Sequence, residues 1–178
     1  MKYSLKKIAL ITEIIGGVAI IISLIFVGFQ FRENTIATKS ATANSANGMT
    51  VAWYTATGNS EQSSQLMWDY LKDPKRITST GEKYQATMLI HGLILSFQNS
   101  YYLAEQGTLD QNVQESLTAA IRAAKDQPGL QDYWQNRKSL FFVEFRNYVD
   151  LIMNSESEVS EGIYENLKKE ETEDNISD

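Results

Sequence analysis

The feature that most constrains this chain is an apolar run close to its beginning, Leu10 to Phe31, which reads LITEIIGGVAIIISLIFVGFQF. A helix needs about 20 mostly apolar residues to cross roughly 30 Å of hydrocarbon. The part from Leu10 to Phe29 meets that requirement because each helical residue advances about 1.5 Å. Basic residues stand at both ends, Lys7 before the run and Arg32 after it. We therefore predict a transmembrane anchor over residues 10–31, with the lipid bilayer as a partner.

A cleaved secretory signal is the alternative interpretation of the same run. Signal peptides have a shorter apolar region, about 7–15 residues, with a small-residue cleavage site close behind it. The convincing site of that kind is Ala41-Thr42-Ala43, which lies too far beyond Phe31. The sequence therefore favours an uncleaved anchor.

Charge on the two sides of the run predicts its orientation. Lys2, Lys6, Lys7 and the amino terminus precede it, whereas Arg32 and Lys39 follow it. The cytoplasmic flanks of membrane helices carry the excess of basic residues. The N-terminus is therefore predicted to be cytoplasmic and the following domain extracytoplasmic.

Small residues form a stripe along the predicted anchor. Thr12, Gly16, Ala19 and Ser23 follow alternating steps of four and three, so they share one helical face. Small side chains let another helix backbone approach closely. The stripe predicts a packing face for self-association or for another membrane protein. The alternative is that these residues, which are common in membrane helices, align by chance.

Two charged residues mark the membrane interface. Arg32 follows the run, and Glu13 lies about one turn inside it, beside the small-residue stripe. A carboxylate at that depth can reach the interface, pair with a lysine or take up a proton. We interpret Glu13 as an interfacial or partner-paired residue, with a place in an ion path as the alternative.

The remaining sequence has the pattern of short helices joined by polar connections. Apolar residues recur at helical steps over residues 60–72, Thr80–Gln106, 113–124 and Leu130–Met153. This predicts an all-α protein, in which a single transmembrane helix precedes an antiparallel helical bundle of about four to five helices. The predicted organisation is a basic flank over 1–9, the anchor over 10–31, a small-residue-rich helical stem over 32–59, the bundle domain over 60–154, and a short helix with an acidic tail over 155–178.

The sequence also predicts core residues in the stem, two helix caps and a solvated tail. In the stem, Val51, Trp53 and Tyr54 are the first large candidates for a core. Ser79 with Glu82, and Thr108 with Gln111, have the spacing of helix-capping boxes. The tail from residue 155 onward has nine acids and two lysines, which give it a charge of −7. The formal net charge of the chain is −6, so residues 1–154 together carry about +1. Such a tail is typical of a solvated end.

The helix over Thr80–Gln106 could also be taken for a second span. No formal charge occurs from Tyr84 to Ala104, but several polar side chains interrupt that stretch. Its dense apolar part, Met88 to Phe97, has the length of a buried core helix. We therefore predict the central helix of the bundle.

The residues that carry common chemistries are sparse. The chain has no cysteine and one histidine, His91, and the residue three before it is Met88 and not a glutamate. Zinc, nucleophile-turn and phosphate-loop motifs do not occur. A basic stripe with interleaved aromatics is also missing, which argues against nucleic-acid binding. We therefore predict no catalytic residue, no metal and no cofactor.

Aromatic residues recur at helical steps in the last long helix, through Trp134, Phe141, Phe145 and Tyr148. A stripe of this kind is most often part of a core. The alternative is a pocket for a small apolar ligand, because bundle cores can hold such molecules. The residues predicted to border that pocket are His91, Tyr101, Tyr102 and Trp134.

Two stretches carry a resemblance to a known family. One is EIIGGVAIIISLIFVGFQFRENT, Glu13 to Thr35, and the other begins at QGTLD and continues through QPGLQDYWQNRKSLFFVEFRNYVDLI. They resemble a family of uncharacterised bacterial proteins with one N-terminal span and a helical domain, over about residues 10–153. The resemblance implies a single-pass protein of the bacterial inner membrane and makes Glu13 the start of the family's anchor block. It implies no activity. The family residues that the second stretch contains are Gly107, Leu109, Pro128, Gly129, Trp134, Phe145 and Val149.

These observations predict a membrane-anchored interaction or accessory protein without catalytic activity. It would associate through its transmembrane helix and its bundle. The alternative is a membrane-tethered sensor or binder of a small apolar ligand in the bundle core.

Overall fold

The structure is a computed structural model that describes residues 5–156. About 85% of these residues are helical and none is in a strand, which confirms the all-α prediction. The predicted short helix after Ser155 and the acidic tail lie almost wholly outside the described residues. The helices are α1 Leu5–Gly58, α2 Glu61–Lys72, α3 Thr80–Glu105, α4 Gln111–Ala124, α5 Pro128–Arg137 and α6 Val143–Met153, with a 3-10 turn at Lys138–Leu140.

The chain divides into two compact units, the first ending at Ala41 and the second beginning at Thr42. The first unit contains the N-terminal part of α1, and its described side chains are exposed. The second unit contains the remainder of α1 and the other helices. All the buried apolar residues of the described chain belong to this second unit, from Ala46 onward.

The C-terminal part of α1 presents a face of small residues to the core of the second unit. Ala46 is 1% exposed, and Thr50 and Thr57 are also buried. Their hydroxyl groups donate to carbonyls of the same helix, Thr50 to Ala46 and Thr57 to Trp53. This face is therefore compatible with an apolar core because its polar atoms are satisfied locally.

Trp53 joins this face of α1 to α3. Its indole Nε1 donates to the carbonyl of Leu89 at 2.7 Å. Val51 and Tyr54, which the sequence predicted beside Trp53 in the core, are 60% and 53% exposed. That prediction is wrong for these two residues because neither is buried, although Tyr54 borders apolar side chains of the core beside Trp53.

Helix α3 is in contact with α2, α4, α5 and α6. Its buried residues Ala86, Ile90, Ile94 and Phe97 recur at helical steps. Because one helix supplies contacts to four others, the expectation of a central core helix is confirmed. Its bounds, Thr80–Glu105, also agree with the predicted Thr80–Gln106.

The predicted continuous helix over Leu130–Met153 is wrong. Helix α5 ends at Arg137, and Phe141 and Phe142 have extended backbone before α6 begins. A continuous helix would place Trp134 and Asp150 about 24 Å apart along its axis. Instead the Trp134 Nε1 donates to Asp150 Oδ1 at 2.7 Å. The break lets the chain fold back so that Phe141 and Phe145 are both buried.

Helices α2 and α5 are in direct backbone contact at Gly129. A Cβ placed on Gly129 would overlap the carbonyl oxygen of Tyr70 and lie 2.9 Å from Leu71 Cα. Gly129 follows Pro128 at the start of α5, so its position is the first turn of the helix. A glycine is required here by this close approach and not by a left-handed backbone.

Candidate functional site

The predicted transmembrane packing stripe lies on an exposed part of α1. Thr12, Gly16, Ala19 and Ser23 are all exposed, as are the apolar residues around them. The Thr12 hydroxyl donates to the carbonyl of Ile8 at 3.0 Å. A Cβ on Gly16 would meet nothing within 4 Å. The stripe therefore offers a face of small side chains, on which the Thr12 hydroxyl is satisfied inside the helix.

The two charged residues predicted at the membrane interface are also exposed. Glu13 lies one residue after Thr12, and Arg32 follows the last apolar residue, Phe31. Neither takes part in an ion pair among residues 5–156. One helix of the described chain, α1, is long and apolar enough to cross a membrane, and its most apolar window is not buried at all.

The structure pairs His91 with a residue that the sequence did not connect to it. His91 Nδ1 lies 2.6 Å from the hydroxyl oxygen of Tyr133, which belongs to α5. Tyr133 is 1% exposed, and burial raises the pKa of its hydroxyl strongly. The hydroxyl therefore keeps its proton and forms a hydrogen bond with the histidine nitrogen, in which the tautomer of His91 decides the donor. The contact spans 42 residues of sequence, so no local pattern could have indicated it.

The other residues of the predicted ligand pocket border a cluster of aromatic rings. Trp134 stacks on Phe141 at 5.6 Å, and Tyr101 lies 5.8 Å from Phe145. Phe141 is also 5.5 Å from His91. The rings of Phe141 and Phe145, both buried, thus occupy the space between His91, Trp134 and Tyr101. Tyr102 is 51% exposed and lies apart from the cluster.

An apolar cavity of about 50 Å³ lies elsewhere in the second unit. It is lined by Trp53 of α1, Leu93 of α3 and Ala120 of α4, among others. None of the four residues predicted to border a pocket lines it. The sequence showed each of these residues as an ordinary apolar position. Only the packing of four helices around Ile94 and Phe97 brings them together.

Asp150 is the most strongly hydrogen-bonded carboxylate of the described chain. Besides Trp134, it accepts from Lys138 Nζ at 3.2 and 3.1 Å. Burial by itself raises the pKa of Asp150, but the hydrogen bonds from Trp134 and Lys138 outweigh that effect and hold the pKa below its usual value. These contacts serve to fix the break between α5 and α6.

Residues 5–156 contain no group of three or more histidine, aspartate or glutamate side chains placed to hold a metal ion. Comparison with protein-family models, with curated protein sequences and with solved structures gives no match to this chain. The function must therefore be inferred from the chain itself.

Proposed function

We propose that the protein is a single-pass membrane protein whose helical domain binds another protein and has no catalytic role. The observation that carries the proposal is the exposure of the large apolar side chains from Leu10 to Phe31. The least exposed of them, Val27, is 42% exposed. A helix that is apolar on all sides needs lipid or other helices around it. The length of this one fits a bilayer, and Arg32 lies where the interface would be.

The proposed partner contact is the stripe of Thr12, Gly16, Ala19 and Ser23, either with a second copy or with another membrane protein. Interfaces between membrane helices are enriched in such residues because backbones can then approach closely. Glu13 beside the stripe would lie at the interface, paired with a partner or reaching the headgroups. The bilayer and this partner are the interactions that we propose.

Co-purification in mild detergent tests this contact. Gly16→Leu and Ala19→Leu should remove the partner or the self-association from the purified protein. Gly28→Leu is the matched control, because a Cβ on Gly28 also meets nothing within 4 Å and Gly28 lies away from the stripe. A protein that is monomeric and free of partners, or one that all three variants affect equally, would contradict the proposal.

We further propose the bacterial inner membrane as the location, with the N-terminus in the cytoplasm and the helical domain outside it. Support comes from the basic residues before the apolar run. The chain has no cysteine, so a single Asn59→Cys variant can report the side of the membrane. Labelling of intact cells by a membrane-impermeant maleimide is expected. Labelling only after lysis would reverse the orientation.

For the second unit we infer an antiparallel bundle of the helices that follow α1. The contacts of α3 with α2, α4, α5 and α6 support this arrangement. The residues that carry the family resemblance have structural roles: Leu109, Trp134, Phe145 and Val149 are buried, and Gly107 has a positive φ of 69°. We infer that the resemblance to uncharacterised bacterial proteins concerns a shared fold and not a shared reaction.

A second candidate function is the binding of a small apolar ligand, and the cavity of about 50 Å³ favours it. Apolar cavities in proteins can take up xenon. Nuclear magnetic resonance under xenon pressure should show shifts of residues around Ala120, and Ala120→Leu should abolish them by filling the cavity. Ala119→Leu, on the exposed side of the same helix, should leave the shifts unchanged. Absence of shifts in the unaltered protein would reject this function.

A further inference from the structure

A second, polar cavity lies between α3, α4 and α6. Its volume is about 270 Å³, and its walls include Tyr101 and Glu105 of α3, Gln114 and Arg122 of α4, and Tyr148 of α6. We refer to it as the α3–α4–α6 cavity. All these residues belong to the second unit. Of the four residues that the sequence predicts to border a pocket, Tyr101 lines this cavity and the other three do not.

Gln114 is the buried polar residue that shapes this cavity. It is 4% exposed, and its amide Nε2 donates to the Tyr148 hydroxyl at 3.1 Å. The Tyr148 hydroxyl is 2.9 Å from Thr118 Oγ1. Thr118 in turn donates its own proton to the carbonyl of Gln114, four residues earlier in α4. Gln114, Tyr148 and Thr118 are therefore joined in a closed loop of hydrogen bonds.

The hydrogen bond from Nε2 to the Tyr148 hydroxyl orients the Gln114 amide. The amide oxygen then points elsewhere, and the described chain provides no hydrogen bond to it. No fully buried side-chain oxygen among residues 5–156 lacks a partner. The amide oxygen of Gln114 is therefore open to the cavity, where it can accept a hydrogen bond.

Further acceptors line the same cavity. Glu105 takes no hydrogen bond from the described chain, and Glu115 accepts only from Gln111 Nε2, at 3.1 Å. The three ion pairs among residues 5–156 include neither carboxylate. Two carboxylates without an ion pair and one free amide oxygen thus line the same cavity. Such a set of acceptors is suited to an ammonium group.

Two aromatic rings also line the cavity. The ring centroids of Tyr101 and Tyr148 are 4.9 Å apart. Their faces can stabilise a cation by its attraction to the π electrons. Burial raises the pKa of the Tyr101 hydroxyl, and the negative charges of Glu105 and Glu144 raise it further. The raised pKa agrees with a negative potential around Tyr101.

The wall of the cavity also has a basic residue, Arg122. Arg122 lies seven residues after Glu115 on α4, which corresponds to about 10 Å along the helix axis. Arg122 takes part in none of the ion pairs described for residues 5–156. A guanidinium group without a partner is suited to a carboxylate, which it can bind through two parallel hydrogen bonds. The cavity is therefore lined both by acceptors and by a positively charged donor.

We propose that the α3–α4–α6 cavity binds a small zwitterion, an amino acid or a molecule of similar size. The ammonium group contacts the Gln114 amide oxygen with Glu105 and Glu115. The acidic group contacts Arg122. The closed loop of hydrogen bonds through Tyr148 and Thr118 holds the Gln114 amide in place before the ligand arrives.

Calorimetric titration of the full chain in detergent with ω-aminohexanoate tests the proposal, because this probe carries both charged groups on a flexible chain. Hexylamine and hexanoate, which each carry one of the two groups, serve as comparisons. The zwitterion should bind more tightly than either. The side-chain amide signals of Gln114 should shift in nuclear magnetic resonance spectra as the probe is added.

Charge-removing variants locate the binding. Glu105→Gln and Arg122→Gln should each weaken the affinity about fivefold, the size of a solvent-accessible ion pair. Glu61→Gln is the matched control, because Glu61 is an exposed carboxylate of α2 outside the cavity. The proposal would be overturned by any one of three results. These are no heat of binding with ω-aminohexanoate, equal affinities for hexylamine and the zwitterion, or a loss of affinity in Glu61→Gln equal to that in the cavity variants.

Discussion

The indole nitrogen of Trp134 and the carboxylate of Asp150 are joined by a 2.7 Å hydrogen bond across the break between α5 and α6. Sixteen residues separate the two in sequence, and Lys138 within the break contacts the same carboxylate. Asp150 thus accepts hydrogen bonds from both Trp134 and Lys138, and these bonds hold α5 and α6 together across the break.

The first prediction concerns Trp134→Phe. This change keeps an aromatic ring but removes the donor to Asp150, and it should lower the free energy of unfolding by about 1 kcal/mol. Denaturant titration at neutral pH measures the loss. The double variant with Asp150→Asn should lose less than the sum of the two single changes, because the residues share one hydrogen bond. Fully additive losses would show that the bond has no stabilising effect.

A second prediction concerns acid. The pKa of Asp150 lies below its ordinary value of 3.8 in the folded state. Its contribution to stability is therefore complete above about pH 4 and is lost as the pH falls through the lower, folded value. Asp150→Asn should remove this part of the acid-induced loss. Unfolding free energies measured between about pH 5 and pH 2 should decline less steeply for the variant than for the unaltered protein. Parallel curves would contradict this.

The third prediction concerns alkali. Burial raises the pKa of Tyr133 above the value of about 10 that tyrosine has in an unfolded chain. The stabilisation is complete below about pH 10 and is lost as the pH rises above it, because only the unfolded state then releases the proton. Tyr133→Phe should cost about 1 kcal/mol at neutral pH through loss of the contact with His91. It should also flatten the alkaline decline. Tyr84→Phe, which removes an exposed hydroxyl, should do neither.

A fourth prediction concerns the close contact of α2 with α5. Gly129→Ala places a methyl group against the backbone of Tyr70 and Leu71 and should destabilise the second unit by about 2 kcal/mol or more. Gly92→Ala, in the interior of α3 where a Cβ meets nothing within 4 Å, should stabilise it by about 0.5–1 kcal/mol. Thermal unfolding followed by circular dichroism distinguishes the two. A similar effect of both substitutions would refute the role of Gly129.

The sequence predicted α3 well because both of its ends have local signals. Ser79 Oγ accepts from the backbone nitrogen of Glu82 at the start, and Gly107 adopts a positive φ of 69° just after the end. The spacing of Thr108 and Gln111 predicts Thr108 as the N-cap of α4. In the structure Asp110 is the N-cap, and its side chain accepts from the backbone nitrogen of Asn112. Thr108 instead donates to the carbonyl of Leu103. Two capping residues so close together cannot be ranked without the packing of Leu109, which is 2% exposed.

The break between α5 and α6 could not be predicted because the aromatic spacing is helical on both sides of it. Trp134 and Phe145 fit one helical stripe in the sequence, yet in the structure their rings meet at 6.4 Å because the chain folds back. The same limit applies to the α3–α4–α6 cavity. Gln114 and Tyr148 lie 34 residues apart, so their hydrogen bond depends on which helices become neighbours. The apolar run at the N-terminus needed no such information, since its length and composition are local.

All the buried apolar residues of the described chain come at or after Ala46, whereas the exposed apolar run ends at Phe31. The free energy that keeps the core folded and the free energy that would hold the first helix in a bilayer thus come from separate sets of residues. A change of detergent or lipid acts on the second quantity, and urea acts chiefly on the first. The two can therefore be measured one at a time on the same intact protein.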